Sequence, residues 1–432
     1  MKKTVLLLLT IAIFTLLLLL SSCAFADKDF APGFGGSYAP SGDFSAGAPE
    51  MDSDASDVAE SEDNGDSVRL PAGMMTAGAW NDNTYYSDWL KLFLQDETKN
   101  GKFYDYTKND LSWGYNSLNR VSVSVMNGEA PVAGAGVTAY DKDGNTLFAA
   151  LTDAQGKAYL FPTASDGSIS VTNGTETVSC DFTEQERDLS VDLSTGVNKL
   201  NVIEIMLVVD VTGSMSDELE FLKTELQDVI SRISSNDSDT VIKLAMLFYR
   251  DINDDVPFTY YDFADVTTLD GLNAQQAALD TQRASGGGDY PEAVDRALDM
   301  AVNKQWSTGA TTKIIFHVLD APAHDDPQNK QLFADSVEKA AELGIRICPI
   351  ICSGASSDTE YTMREAAIYT GGTFIFITDD SGIGGSHHDP ELPNATVELL
   401  NSLMVRLANG YHTGVFTEPV YWKDDPGLST MQ

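Results

Sequence analysis

A doubly wound α/β sheet, mostly parallel and preceded by a small all-β sandwich, is the architecture that this 432-residue chain predicts. Three observations carry it. Beyond Leu200, apolar runs alternate with helical patterns, the signature of parallel strands linked by crossover helices. Between Val121 and residue 196 the pattern is one of short alternating runs split by turn clusters. Hydrophobic residues make up 43% of the chain, ample for two folded cores at this length.

Taken in chain order, Met1-Lys2-Lys3 is followed by an apolar run, Val5 to Leu20, interrupted only by Thr10 and Thr15. That run is short for a membrane span, and residues 1–22 read as a targeting segment. Leu20-Ser21-Ser22-Cys23 comes next and resembles the lipobox of bacterial lipoproteins. The resemblance implies that Cys23 is acylated and that the chain is lipid-anchored at a bacterial cell membrane or outer membrane, facing outside the cytoplasm. Residues 23–69, rich in Gly, Ser, Pro and acid, cannot bury a core and are expected to form a disordered tether. Residues 70–120 carry Trp80, Trp89 and Trp113 among several tyrosines. This aromatic density predicts packing against a neighbouring domain, although no periodicity assigns the segment a fold.

Residues 121–196 hold seven short runs, from "VSVSV" to "DLSVDLS", divided by turns such as Asp143-Gly144-Asn145 and Gln155-Gly156-Lys157. Strands at that spacing predict a β-sandwich. The stretch "PVAGAGVTAYDKDGNTLFAALTDAQGKAYL" resembles the carboxypeptidase regulatory-like family, which implies a structural or adhesive module without catalytic residues.

Residues 200–413 supply the predicted parallel strands: Ile205 to Val209, Ile242 to Tyr249, Ile314 to Leu319, Ile345 to Ile351 and Thr373 to Ile377. Leu219, Leu222, Leu226, Val229, Ile230 and Ile233 mark one face of a helix. Further helices are expected to begin near Pro291, Asn329, Glu360 and Ala395, and Phe258 to Phe263 is expected to be an antiparallel edge strand. Residues 414–432 form a tail.

In open α/β sheets, ligands bind beyond the carboxyl ends of the strands. Asp210 closes the first strand in "VVDVTGSM", and Asp320 closes the third in "KIIFHVLD". Thr212 and Ser214 follow Asp210 at alternate positions, which an extended turn projects to one side. Ser285-Gly286-Gly287-Gly288-Asp289 is a glycine-rich path that can bring Asp289 to the same crevice. Asp210, Thr212, Ser214, Asp289 and Asp320 together make a hard, all-oxygen set suited to a divalent cation, Mg²⁺ foremost, with Mn²⁺ or Ca²⁺ as alternatives. A plainer possibility is that Thr212 and Ser214 cap the helix starting near Asp217.

The segment from Val202 to about Tyr411 resembles a von Willebrand factor type A domain. Its metal-ion-dependent adhesion site has the pattern Asp-x-Ser-x-Ser, matched by Asp210, Thr212 and Ser214, with Asp320 as the later acid. The match departs at Asp289, which falls where many members carry Thr. The resemblance implies a binding or adhesion protein, not an enzyme, engaging a protein partner's acidic side chain through the cation. "VVDVTGSM" also resembles the first motif of haloacid-dehalogenase-type phosphatases, with Asp210 as nucleophile, but Thr212 stands where their acid/base Asp belongs. A scaffold holding a purely structural ion is the third alternative.

The remaining chemistry is sparse. Acids outnumber bases 65 to 27, and so negative a surface repels phosphate backbones, which excludes nucleic acid as a partner. Cys348 and Cys352 lie about 13 Å apart along an extended strand, too far for a disulfide. His317 sits in an apolar run as a core residue. His324, His387 and His388 lie in acidic loops and are expected to be solvated, while Asp325, Asp326, Asp379 and Asp380 are expected to be loop acids or caps.

Overall fold

The computed structural model describes residues 74–108, 112–288, 290–381, 390, 392, 395–426 and 428. Cys23, Asp289, His387 and His388, with the targeting segment and tether, lie outside the described residues.

In chain order the strands are β1 (Thr76–Trp80), β2 (Val121–Asn127), β3 (Ala130–Pro131), β4 (Gly136–Tyr140), β5 (Thr146–Leu151), β6 (Lys157–Leu160), β7 (Gly167–Thr172), β8 (Thr177–Phe182), β9 (Asp188–Asp192), β10 (Lys199–Asp210), β11 (Val241–Tyr249), β12 (Phe258–Asp265), β13 (Ala310–Leu319), β14 (Ile345–Ile351), β15 (Phe374–Ile377) and β16 (Glu398–Leu399). The α-helices are α1 (Tyr86–Lys91), α2 (Ser216–Asn236), α3 (Leu269–Asp280), α4 (Val294–Val302), α5 (Pro327–Glu342), α6 (Ser357–Thr370) and α7 (Leu400–Thr413).

One eight-stranded mixed sheet has the order β12-β11-β10-β13-β14-β15-β1-β16. Its centre is parallel: β10 pairs with both β11 and β13, β13 with β14, and β14 with β15. These strands are nearly continuous runs of Val, Ile, Leu and Met because helices cover both faces. Alternate residues of β10 serve the two sides. Met206 and Val208 join the core beneath α4, α5 and α6, while Ile205, Leu207 and Val209 join that beneath α2 and α7. The edge strand β12 is antiparallel to β11, as its polar turn predicts.

At the other edge the sheet recruits the aromatic segment, to which the sequence pattern assigned no fold. β1 runs antiparallel between β15 and β16, with Ala77 opposite Ile377 and Thr76 opposite Leu399. Downstream of β1, Trp89 and Phe103 are fully buried, and Trp113 packs edge-on against Phe333 of α5. The expected packing role of these aromatics is therefore met inside the α/β unit itself.

A β-rich region, β2 to β9, is inserted between β1 and β10. It comprises two small sheets, one with β3, β2, β6 and β9 and one with the order β5-β4-β7-β8. Val121, Val123 and Val125 alternate inward from one, and Val137 and Ala139 from the other. Their core is continuous with that beneath α4 to α6. The region meets the loops that precede the parallel strands: a Cβ at Gly344 would lie 3.0 Å from Leu151 and one at Gly371 3.9 Å from Tyr159. It thus sits at the amino-terminal rim of the sheet and leaves the carboxyl-terminal rim clear.

Two expected helix positions are corrected and one helix is added. The helix near Ala395 begins at Leu400, because Glu398 and Leu399 pair with β1 first. The helix near Pro291 begins at Val294, because Glu292 forms a bridge with Ala323. Leu269–Asp280 is a helix that no apolar stripe announced. By contrast, Asp326 caps α5 by accepting from the Gln328 and Asn329 amides.

Candidate metal centre

Three loops meet at the carboxyl rim, and backbone hydrogen bonds fix their meeting. The Ser285 amide donates to Val211 O at 2.9 Å and the Gly213 amide to Gly286 O at 3.4 Å, joining the glycine loop to the turn after β10. The Glu292 amide donates to Pro322 O at 3.0 Å, joining the glycine loop to the turn after β13.

Asp210 is wholly buried at the end of β10. Its Oδ1 accepts from the Thr212 amide at 2.8 Å and the Thr212 hydroxyl at 2.7 Å. Its Oδ2 is buried without a hydrogen-bond partner. The Thr212 and Ser214 hydroxyls are 3.4 Å apart, and Ser214 opposes the rise that burial gives the Asp320 carboxyl. The structure thus brings Asp210, Thr212, Ser214 and Asp320 together. The capping alternative does not hold: α2 begins at Ser216 after a short 3₁₀ turn, and neither hydroxyl caps it. The Thr212 hydroxyl donates to Asp210 instead.

Glu292 is a third acidic group here, which the sequence pattern did not single out. It is 4% exposed, and its Oε2 is buried without a partner. A Cβ on Gly287 would lie 2.8 Å from Glu292 Oε1 and 3.4 Å from Thr212 Cβ, so that glycine separates the two. Gly287 also has φ +82°, favourable for glycine alone, and its amide donates to Asp254 at 3.0 Å. Its neighbour Gly286 could carry no Cβ either, since Asp254 Oδ1 lies 2.5 Å from that position. Glu292 closes the stretch "GGGDYPE", and its burial and the bridge to Ala323 hold it at this rim. Glu218, in the first turn of α2, is also buried nearby and accepts from Ser353 at 3.0 Å.

The electrostatics follow from crowding. Burial pushes the Asp210 carboxyl up to about 7; Asp320 adds to the rise, while the bonds from Thr212 oppose it. Burial pushes Glu292 up to about 9, reinforced by Asp210, Asp251, Asp320 and Asp254 in that order. Arg250, the base near Asp210, gives its hydrogen bonds to the carbonyls of Ser285, Val256 and Arg283. His324 is not simply solvated as expected, since it bonds Asp251 at 2.9 Å. His317 is a core residue bonded to the Tyr249 hydroxyl at 3.1 Å.

A divalent cation fits this donor set. The bare Asp210 and Glu292 oxygens, buried beside a Thr212 hydroxyl that already donates to Asp210, offer hard lone pairs with no positive side chain bonded to them. Among the described residues, no three Asp, Glu, His or Cys side chains converge to hold a metal by themselves. The Thr212 and Ser214 oxygens, with water, are therefore needed to complete a shell. Cys180, Cys348 and Cys352 are free thiols, and among the described residues no helix is long and apolar enough to cross a membrane.

Residues 204–379 match the von Willebrand factor A domain family. The chain is 27% identical over 219 residues to an ariadne-like RING finger protein of Acanthamoeba polyphaga mimivirus, covering 47% of this chain and 20% of that protein. It is 24% identical over 180 residues to the alpha-protein kinase vwkA of Dictyostelium discoideum, covering 41% of this chain and 27% of that one. The match therefore spans only a minor part of either relative. Among solved structures, the pilus adhesin SpaC of Lactobacillus rhamnosus GG is similar at 13% identity and TM-score 0.33, covering 48% of this chain and 29% of that one. BatB of Bacteroides thetaiotaomicron is similar at 14% identity and TM-score 0.31, covering 40% and 89%.

Proposed function

We propose that the von Willebrand factor A domain of residues 204–379 is the binding module of a lipid-anchored envelope protein. It engages a protein partner through a divalent cation, Mg²⁺ foremost, at the Asp210 rim. The observation that carries this reading is the bare, buried Oδ2 of Asp210 beside two hydroxyls. When bound, the cation supplies a positive point to which an acidic side chain of the partner can bond.

The chain's own residues do the rest. The Thr212 hydroxyl donates to Asp210, which leaves its lone pairs for a cation, and the Ser214 hydroxyl stands 3.4 Å from it. Ser214 is exposed while Thr212 is buried, so the rim opens to solvent on the Ser214 side. The remote β-rich region, read as a small sandwich, and the acylated Cys23 serve attachment and spacing in this proposal. No catalytic step is assigned: the position two residues after Asp210 is a threonine already donating to that aspartate, where a phosphatase of the haloacid-dehalogenase type needs an acid/base.

The test uses the immobilised full chain and native envelope extract, with Mg²⁺ and again with EDTA. Partner capture should require Mg²⁺ and should be lost with Asp210→Ala. Capture indifferent to both chelation and the substitution would remove the proposal.

A further inference from the structure

The rim holds one more buried carboxylate than a site waiting for a partner's acid requires. Glu292 is stitched by its amide to Pro322 and by its bridge to Ala323, so its backbone belongs to the turn that follows Asp320. Its Oε1 and Thr212 flank the same glycine, its Oε2 has no hydrogen-bond partner, and the residue is 96% buried by complement of its 4% exposure. Asp254 approaches the adjacent Gly286 of the same loop, so acids of separate loops gather around this glycine turn.

We propose that Glu292 is an internal acidic ligand of the cation at the Asp210 rim, so that the chain retains its cation without help from a partner. This rests on the reading of the rim as a cation site. It changes what a partner meets, because a carboxylate of the chain's own lowers the cation's residual charge and occupies coordination space. An incoming acid then competes with Glu292 for the cation, and the free chain already holds the ion before a partner arrives. A buried glutamic acid that merely fills space as a neutral group is the competing account. Glutamine distinguishes the two, being nearly isosteric with the neutral acid but a much poorer ligand for a hard cation.

The experiment is direct Mn²⁺ binding to the purified full chain, read from the free-ion electron paramagnetic resonance signal, for the parent, Glu292→Gln and Asp210→Ala. Loss of a supporting group in a metal site typically costs 10–100-fold in affinity, and Glu292→Gln should weaken Mn²⁺ binding by about tenfold or more. Circular dichroism and the melting profile should remain those of a folded protein. If Asp210→Ala weakens binding while Glu292→Gln binds as the parent does, the internal-ligand proposal is overturned and the cation site stands. If Asp210→Ala also binds as the parent does, or the parent binds no Mn²⁺, both fall.

Discussion

Arg364 is 1% exposed and brings a full charge into the core. Its guanidinium bonds Asp82 through Nε at 3.0 Å and Glu360 through Nη1 at 3.0 Å, and it lies 5.1 Å from the Trp89 ring centroid. Deleting the guanidinium leaves the buried Asp82 carboxylate without its cation, at a cost of about 3–5 kcal/mol. Arg364→Met should lower the urea-derived unfolding free energy by about that amount; a loss near zero would show that packing alone holds this junction. Partner identity at this scale is legible only when it is local. Asp210, Thr212 and Ser214 stand in one turn, and their alternation makes their meeting readable. Asp82 and Arg364 lie 282 residues apart, and Glu292 is held at the rim by a bridge to Ala323, so both depend on partners distant along the chain.

The helix α6 shows the same limit at the scale of an element. Every residue from Thr359 to Thr370 is buried, enclosed by the sheet, the aromatic segment and the β-rich region, so it has no polar face from which an apolar stripe could be distinguished. Its start was nevertheless readable, since Ser356 caps it by accepting from the Thr359 amide. β1 was not readable: "TAGAW" is short and small-residued, and it becomes a strand by pairing with β15 and β16. Burial of α6 also sets a pH dependence. Glu365 accepts from the Ser117 hydroxyl at 2.8 Å. Burial pushes its carboxyl up to about 8, against that bond and with the Asp82 charge adding to the rise. Because the folded value lies above the ordinary 4.5, the stability this group contributes is full below that pH and is lost as pH rises through about 8. Glu365→Gln should flatten the profile and raise the urea midpoint at alkaline pH relative to the parent. A variant profile as steep as the parent's between pH 5 and 9 would assign the dependence to other groups.

For the whole molecule, the alternation of strands and helices made the parallel centre of the sheet readable, and the change of period at Val121 marked the β-rich region. What stayed hidden was that this region interrupts the α/β unit instead of simply preceding it. A chain starting at Val121 therefore lacks a strand from within the sheet and the aromatics packed on α5 and α6. It should aggregate on size exclusion and lose its cooperative melting transition; a monodisperse, cooperatively melting product would show that β1 is dispensable. The placement of β1 has a kinetic consequence. It is the first strand of its sheet to leave the ribosome, yet its neighbours are Phe374 to Ile377 and Glu398 to Leu399, so it must wait for almost all of the remaining chain. Closure over such sequence separation is slow. The nascent polypeptide stays unsealed along this flank through most of its translation, and its last act of folding is to seat one of the earliest segments made.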